Sequence, residues 1–471
     1  MILTILGLSL LFFYPALSTY FTGDDFFHFT VAREGIFTIS SFEQRGIAFY
    51  RPVSRELLYY TLGSLFGLNH LPFRVLQFAL HFGNIYLVYV FVKRLFGDRI
   101  IAFFSTLFFA LSAANVGILY YLAGGIQAQF ATFFILLSAL FFFKNRLASV
   151  AFFVLALGSH ELAVMTPALL AGLVFVRRKN FSEFISVIKA LGPYILLTLG
   201  YLYISFIAIG FSSTEAQYSL NFSPKTTLNT LSWYGVWALG LPEMTVDFVG
   251  SGLSLDPRLM RFWGKHYSFI FPAMAVVLLM LAAALLKLVG EKNRALRDKR
   301  LWVMVMWFVA SLLPVLFLPV HKKTYYLAPG LLGFWTAFWY LILNSTKSRT
   351  VLAGVVVVLA VLNFSSSNLG SETYWAAKRG LIAEKLVKDL KSEFPSLPSG
   401  ATLYIKNEPA YPKISGDWGG TSNQANFILN GSDAVRLLYD DPRLEVFYED
   451  LHAPPEGDYF EHRAVLQFEG E

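Results

Sequence analysis

Residues 147–176 read LASVAFFVLALGSHELAVMTPALLAGLVFV, about thirty mostly apolar residues set between Lys144/Arg146 on one side and Arg177/Arg178/Lys179 on the other. Basic loops mark the cytoplasmic face of a multispanning protein, so a segment between two of them must cross the bilayer an even number of times. At about twenty residues per crossing, this stretch has room only for a hairpin of two short helices. Its turn, GSHEL, then approaches the outer face and carries His160 and Glu161 there.

The rest of the chain obeys the same scheme. Of its 471 residues, 56% are hydrophobic, 17% aromatic and 15% charged, too apolar a balance for a soluble protein of this length. Its partner is the lipid bilayer. The net charge of +7 gathers in short loops, at Lys93/Arg94/Arg99, Lys144/Arg146, Arg177/Arg178/Lys179, the stretch from Lys292 to Arg300, and Lys347/Arg349, which argues for positive-inside topology and against nucleic acid. Without cysteine there are no disulfides and no thiolate chemistry. The first apolar stretch, Ile2 to Ser18, lacks the basic start of a signal peptide and is expected to be a retained helix running from inside to outside.

Further spans are expected near Leu191 to Ile209, Phe269 to Val289, Leu301 to Leu318, Tyr325 to Leu343 and Val351 to Leu362, for a total of about eleven. The short aromatic stretch Asn229 to Leu241 reads as an interfacial or re-entrant helix. From Ser371 onward charge, Pro and Gly return. An amphipathic helix bearing Leu381, Ile382, Leu386, Val387 and Leu390, followed by strand candidates ATLYI and LEVFY, suggests a small α/β unit. The expected fold is therefore an all-α polytopic membrane protein with about eleven transmembrane helices and a small C-terminal α/β extracytoplasmic domain. Residues 1–366 form the membrane module, with outer loops 21–71 and 211–267, and residues 371–471 form the soluble domain.

Residues able to carry chemistry cluster on the expected outer face. In TGDDFFHF, Asp24, Asp25 and His28 follow the first helix; adjacent carboxylates at a low-dielectric boundary raise each other's pKa and suit a catalytic base, or else simply favour the start of the next helix. FYRPVSRELLYY supplies Arg51, Arg55 and Glu56, either as interface anchors or as contacts to an anionic head group. Arg74, Gln77, His81 and Asn84 fall on one helical face that must meet protein or water rather than lipid. His160 and Glu161, with Asp25, are candidate ligands for a divalent cation such as magnesium or manganese, or hold the acidic loop in place. HKKTYYLAP places His321, Lys322, Lys323 and Tyr325 outside, against the positive-inside bias. Snorkelling explains such cations, and so does a lipid-linked phosphate.

In order and placement these motifs resemble the GT-C type glycosyltransferases, which use polyprenyl-phosphate sugars and carry an acidic motif in their first outer loop. GDDFFHF looks like that motif. The stretch from FYRPVSRELLYY to the helix after it is similar to the RP-containing loop of the transmembrane O-mannosyltransferases with tetratricopeptide repeats, and the aminoarabinose transferases are of the same kind. GSHELAVMTPALL is similar to their Lys-Glu hairpin, with His160 where lysine is usual. WALGLPE and HKKTYYLAP fit the later outer loop and the lipid-phosphate region. The resemblance covers Met1 to about Leu343, and the tetratricopeptide repeats are absent.

What the resemblance implies is a transfer of a monosaccharide from an undecaprenyl- or dolichyl-phosphate donor to a hydroxyl on a protein, lipid or surface glycan. Asp24 or Asp25 would be the general base, and His321, Lys322 or Lys323 would contact the donor phosphate. His28, Arg51, Arg55, His160, Glu161 and Tyr325 complete the expected substrate site. A lipid-linked glycan flippase or transporter is the alternative, expected to show broken helices near mid-membrane and pseudo-symmetric halves. The absence of repeats and the compact outer unit point to a bacterial or archaeal plasma membrane.

Overall fold

A computed structural model describes residues 1–34, 49–177, 184–209, 216–250, 252, 254–411 and 419–466. The chain opens with α1 (Ile2–Phe13), which passes through a 3-10 turn at Tyr14–Ser18 into α2 (Gly23–Glu34). The two meet at a 75° bend. Then come α3 (Leu58–Phe66), α4 (Leu71–Phe96), α5 (Arg99–Leu111), α6 (Asn115–Tyr120), α7 (Leu122–Phe141), α8 (Arg146–Leu157), α9 (Thr166–Arg177), α10 (Phe184–Tyr203), α11 (Pro224–Leu239), α12 (Pro257–Gly290), α13 (Lys299–Leu316), α14 (Gly330–Ser345) and α15 (Arg349–Thr373).

Several long apolar helices make this a multi-pass integral membrane protein. Among the described residues six segments are long and apolar enough to cross a bilayer: Leu71–Phe96, Leu122–Phe141, Lys189–Ala208, Pro257–Gly290, Lys299–Leu316 and Arg349–Glu393, with a seventh if α1 and α2 count as one broken span. The expectation of eleven spans is thus not met at full length. α5, α8, α9 and α14 have only 13, 12, 12 and 16 residues. In α14 the cause is local. The expected span begins at Tyr325, but Thr324–Leu327 is a 3-10 turn and Pro329 caps the helix, so regular structure starts only at Gly330.

The basic loops gather at one end of the bundle. Arg300 donates to the Phe96 carbonyl at 3.2 Å, Arg177 lies 3.7 Å over the Phe143 ring, Lys299 4.7 Å over Phe175, and Tyr340 donates to Asp298 at 2.7 Å. Arg178 and Lys179 lie outside the described residues. The expected hairpin forms from α8 and α9, with its turn at His160 and a 3-10 segment at Glu161–Met165.

Segments expected as outer loops are partly helical. Within 21–71 lie α2, a π-helical turn at Pro52–Leu57 and α3; residues 35–48 lie outside the described residues. Within 211–267 lie α11 and the first turns of α12, which starts at Pro257 rather than near Phe269 because Asp256 caps it, accepting from the Arg258 N–H. α15 runs to Thr373, beyond the expected boundary at 366. At 25 residues it rises about 38 Å, more than the hydrocarbon thickness.

The C-terminal unit holds α16 (Trp375–Glu393), β1 (Thr402–Asn407), α17 (Thr421–Leu429), α18 (Asp433–Tyr439), β2 (Glu445–Tyr448) and β3 (Phe460–Ala464), whose strands form an all-parallel sheet in the order β2-β1-β3. Leu386, Val387 and Leu390 of α16 are buried as their spacing requires, whereas Leu381 is exposed; the buried stripe is completed by Ala376, Ala377, Gly380 and Ala383. The third strand went unanticipated. This unit is continuous with the acidic end of the bundle: a Cβ on Gly23 would come within 2.5 Å of the Phe427 carbonyl, so the start of α2 can approach α17 only as glycine.

Candidate functional site

The 75° bend after α1 leaves the carbonyls of Thr19 and Tyr20 without helical partners. Arg74, wholly buried in α4, supplies them: Nε donates to the Thr19 carbonyl at 2.9 Å and Nη2 to Tyr20 at 3.3 Å. It also reaches the carbonyls of Leu119 (2.8 Å) and Tyr120 (3.3 Å) at the break between α6 and α7, while Gln77 Nε2 donates to Ile118 at 2.7 Å. His81 meets Ser9 at 3.0 Å and Asn84 donates to the Gln129 carbonyl at 3.1 Å. The polar face read from the sequence therefore packs helix to helix and braces two breaks; the site lies beyond it.

That bracing aims the acidic pair. Asp25 is fully buried, accepting from Tyr59 Oη at 2.6 Å and the Thr22 N–H at 2.8 Å. Burial pushes its carboxyl up to about 6, against the pull of those two hydrogen bonds and of Arg74. Asp24, one residue earlier, is exposed and accepts a hydrogen bond from Tyr121 Oη. Adjacent in sequence, the two carboxylates differ in what they can do: Asp25 is a fixture of the α2 start, and Asp24 faces outward.

Tyr121 links the acidic pair to the cationic segment. Its ring lies 5.5 Å from Tyr325 and 4.8 Å from Trp375, and Tyr325 Oη is 3.5 Å from His321 Nε2. A Cβ on Gly117 would fall 2.2 Å from Thr324 Oγ1, which explains how α6 seats so closely on this segment. Lys323 pairs with Glu243 at 3.7 Å and lies 5.7 Å over the Trp375 ring; Glu243 also accepts from the Thr324 N–H and hydroxyl at 2.7 and 2.6 Å. Burial and the neighbouring Lys323 pull His321 down to about 4, so it stands neutral near pH 7 against Gln217 at 3.1 Å. Lys322 turns toward the Pro319 carbonyl, and burial lowers its pKa despite nearby Asp247.

On the other flank, Arg51 makes a bidentate pair with Glu161 at 2.9 and 2.6 Å and donates to Gln127. Burial alone would raise the Glu161 carboxyl, but Arg51 outweighs it and holds it down to about 2. His160 is buried, with Nδ1 accepting from the Leu162 N–H at 3.3 Å and its ring 5.8 Å from Tyr326; burial pulls its pKa to about 3. Arg55 pairs with Glu56 at 2.6 Å, both buried. His28, in α2, sits 5.1 Å from the Tyr59 ring, and burial with Arg55 and Arg51 keeps it neutral.

The expected site residues thus occupy one continuous end of the bundle, with one correction. The metal set Asp25, His160 and Glu161 is not assembled: no three His, Asp or Glu side chains converge among the described residues, and Arg51 has claimed Glu161. The residues that join the site, Tyr121, Gln127, Glu243, Trp375 and Arg379, were not singled out from the sequence. Arg379 of α16 packs 5.1 Å over Trp375 and feels the charge of Asp24. Only Glu243 had a signal, inside the quoted motif WALGLPE. No family model matches the chain, and no curated protein or solved structure is significantly similar to it.

Proposed function

We propose that this chain transfers a monosaccharide from a polyprenyl phosphate to an acceptor hydroxyl at the non-cytoplasmic face of a bacterial or archaeal plasma membrane. The chain then crosses eleven times, the short helices α5, α8, α9 and α14 included, with the basic loops inside and the acidic motif and C-terminal unit outside. The observation that carries the reading is Tyr121, which donates to Asp24 and packs against Tyr325 and Trp375, so that an exposed carboxylate and the Lys323 segment flank one aromatic side chain.

In this reading Asp24 takes the proton of the acceptor hydroxyl as its oxygen attacks the anomeric carbon. The bond from that carbon to the donor phosphate oxygen breaks with inversion, and its electron pair leaves with the phosphate. Lys323 and Arg379 supply the positive field for that leaving group, and neutral His321 offers a hydrogen bond. Asp25, tied to Tyr59 and Thr22, positions its neighbour.

The test is release of polyprenyl phosphate by the full chain in vesicles charged with sugar-bearing carriers and hydroxyl acceptors. Asp24→Asn is expected to lower turnover at least about a hundredfold with folding intact, the scale of a general base. Unchanged turnover in Asp24→Asn removes Asp24 as the base. Carrier crossing the vesicle membrane with no sugar transferred supports the flippase instead.

A further inference from the structure

We propose that the buried polar cluster of His28, Glu56, Gln127 and His160 around the Arg51 and Arg55 ion pairs binds an uncharged sugar ring through its hydroxyl groups. This rests on the glycosyl-transfer reading and specifies the substrate class of the same site.

Four buried polar atoms here have no hydrogen-bond partner among the described residues: His28 Nδ1, Glu56 Oε2, Gln127 Nε2 and His160 Nε2. Their residues are 8%, 1%, 0% and 0% exposed. An unpartnered buried polar atom costs about 1–3 kcal/mol, so four around one pair of arginines is a large uncompensated term unless something binds them. They are held together from separate elements. Arg51 joins Gln127 of α7 to Glu161 at the hairpin turn, and the π-helical turn docks on that hairpin through Val53 N–H to the Gly158 carbonyl at 2.9 Å and Ser54 Oγ to Ser159 at 2.5 Å. α2 brings His28 into the field of both arginines.

The charge balance chooses the ligand. Arg51 is neutralised by Glu161 and Arg55 by Glu56, so neither cation is left over for an anion, and the open oxygen of Glu56 would repel one. A cationic ligand finds no carboxylate to itself, because Glu161 and Glu56 already belong to the two arginines. What remains unfilled is an amide donor, a carboxylate acceptor, the Nε2–H donor of His160, whose Nδ1 already accepts from Leu162, and the Nδ1 of His28, which donates or accepts according to tautomer. That mixed, uncharged set matches vicinal hydroxyl groups, each both donor and acceptor. A site built on such groups rejects analogues that lack or ionise them more strongly than an apolar pocket does.

The experiment titrates the full chain in nanodiscs with undecaprenyl phosphate and with its glucosyl, mannosyl, glucuronosyl and 2-amino-2-deoxyglucosyl esters, followed by tryptophan fluorescence. The glucosyl or mannosyl ester should bind at least about tenfold more tightly than the sugar-free carrier and than both charged-sugar esters. Gln127→Leu should remove about tenfold of that affinity and move the sugar-free carrier less than about twofold; His28→Phe, which keeps ring packing, serves the same purpose if the first variant does not fold. Equal affinity for all five ligands, or equal losses with and without sugar, overturns the sugar assignment. So does a density map with the preferred ester bound elsewhere and only ordered water on the four atoms. If undecaprenyl phosphate itself does not bind, the transfer reading fails and the sugar assignment fails with it.

Discussion

Arg74 and Arg51 are both arginines sunk into one end of a helical bundle, each at the centre of a polar cluster, and the two clusters have been completed differently. Around Arg74 the guanidinium spends its donors on four backbone carbonyls and Gln77, and Gln77 spends its own on Ile118. Around Arg51 and Arg55 the charges are paired but four neighbouring polar atoms are left over. Residue type does not tell the two apart; satisfaction does. A cluster that closes on itself holds the fold, whereas one that leaves atoms unfilled still has donors and acceptors to offer.

The largest effect that could break this contrast lies at the closed cluster. Arg74→Met leaves the carbonyls at both helix breaks unpaired and is expected to cost about 3–5 kcal/mol, seen as loss of the monodisperse folded species on size exclusion. A variant that folds and melts like the parent would show that Arg74 is not a brace.

The acidic pair offers a smaller effect with a definite sign. Because burial raises the Asp25 carboxyl to about 6 from the ordinary 3.8, its contribution to stability is fully present below about 3.8 and is lost as pH rises through 6. The parent should therefore lose about 2 kcal/mol between pH 4 and pH 7 that Asp25→Asn does not lose, measurable as a flattened dependence of Tm on pH. A parallel slope in the two proteins would remove Asp25 as the source.

The smallest effect is expected in the open cluster. His28→Phe deletes an atom with no partner and keeps the ring against Tyr59, so stability should change by less than about 1 kcal/mol in thermal melts, in contrast to its loss of sugar affinity. A large destabilisation would mean that His28 belongs with Arg74 as a structural residue.

Much of this arrangement is legible in the sequence where the signal is local. The hairpin around His160 follows from the length and basic flanks of one segment, and β1 and β2 from runs of apolar and aromatic residues. β3 is hidden because FEHRA reads as charged; His462 is nevertheless buried, against Glu393 at 2.7 Å. The acidic pair is evident at once, but the division of labour between Asp24 and Asp25 depends on Tyr121 and Tyr59, which are two of 24 tyrosines and carry no mark of their own. Eleven crossings are expected from apolar runs set between basic loops; proline and 3-10 turns cut some of the helices short, and those breaks are where the site is built.

The close approach of Gly23 to the Phe427 carbonyl has a consequence for biogenesis. About 400 residues separate the two, so at ordinary elongation rates the acidic motif waits roughly 20–80 s after its own synthesis before the surface it rests against exists. A nascent chain threaded into the membrane can hold every transmembrane helix and still lack the surface that supports Asp24. Maturation of such a protein is timed by the arrival of its α/β unit, and a chain cut short before it is expected to accumulate as inserted, silent protein rather than as a weakly active one.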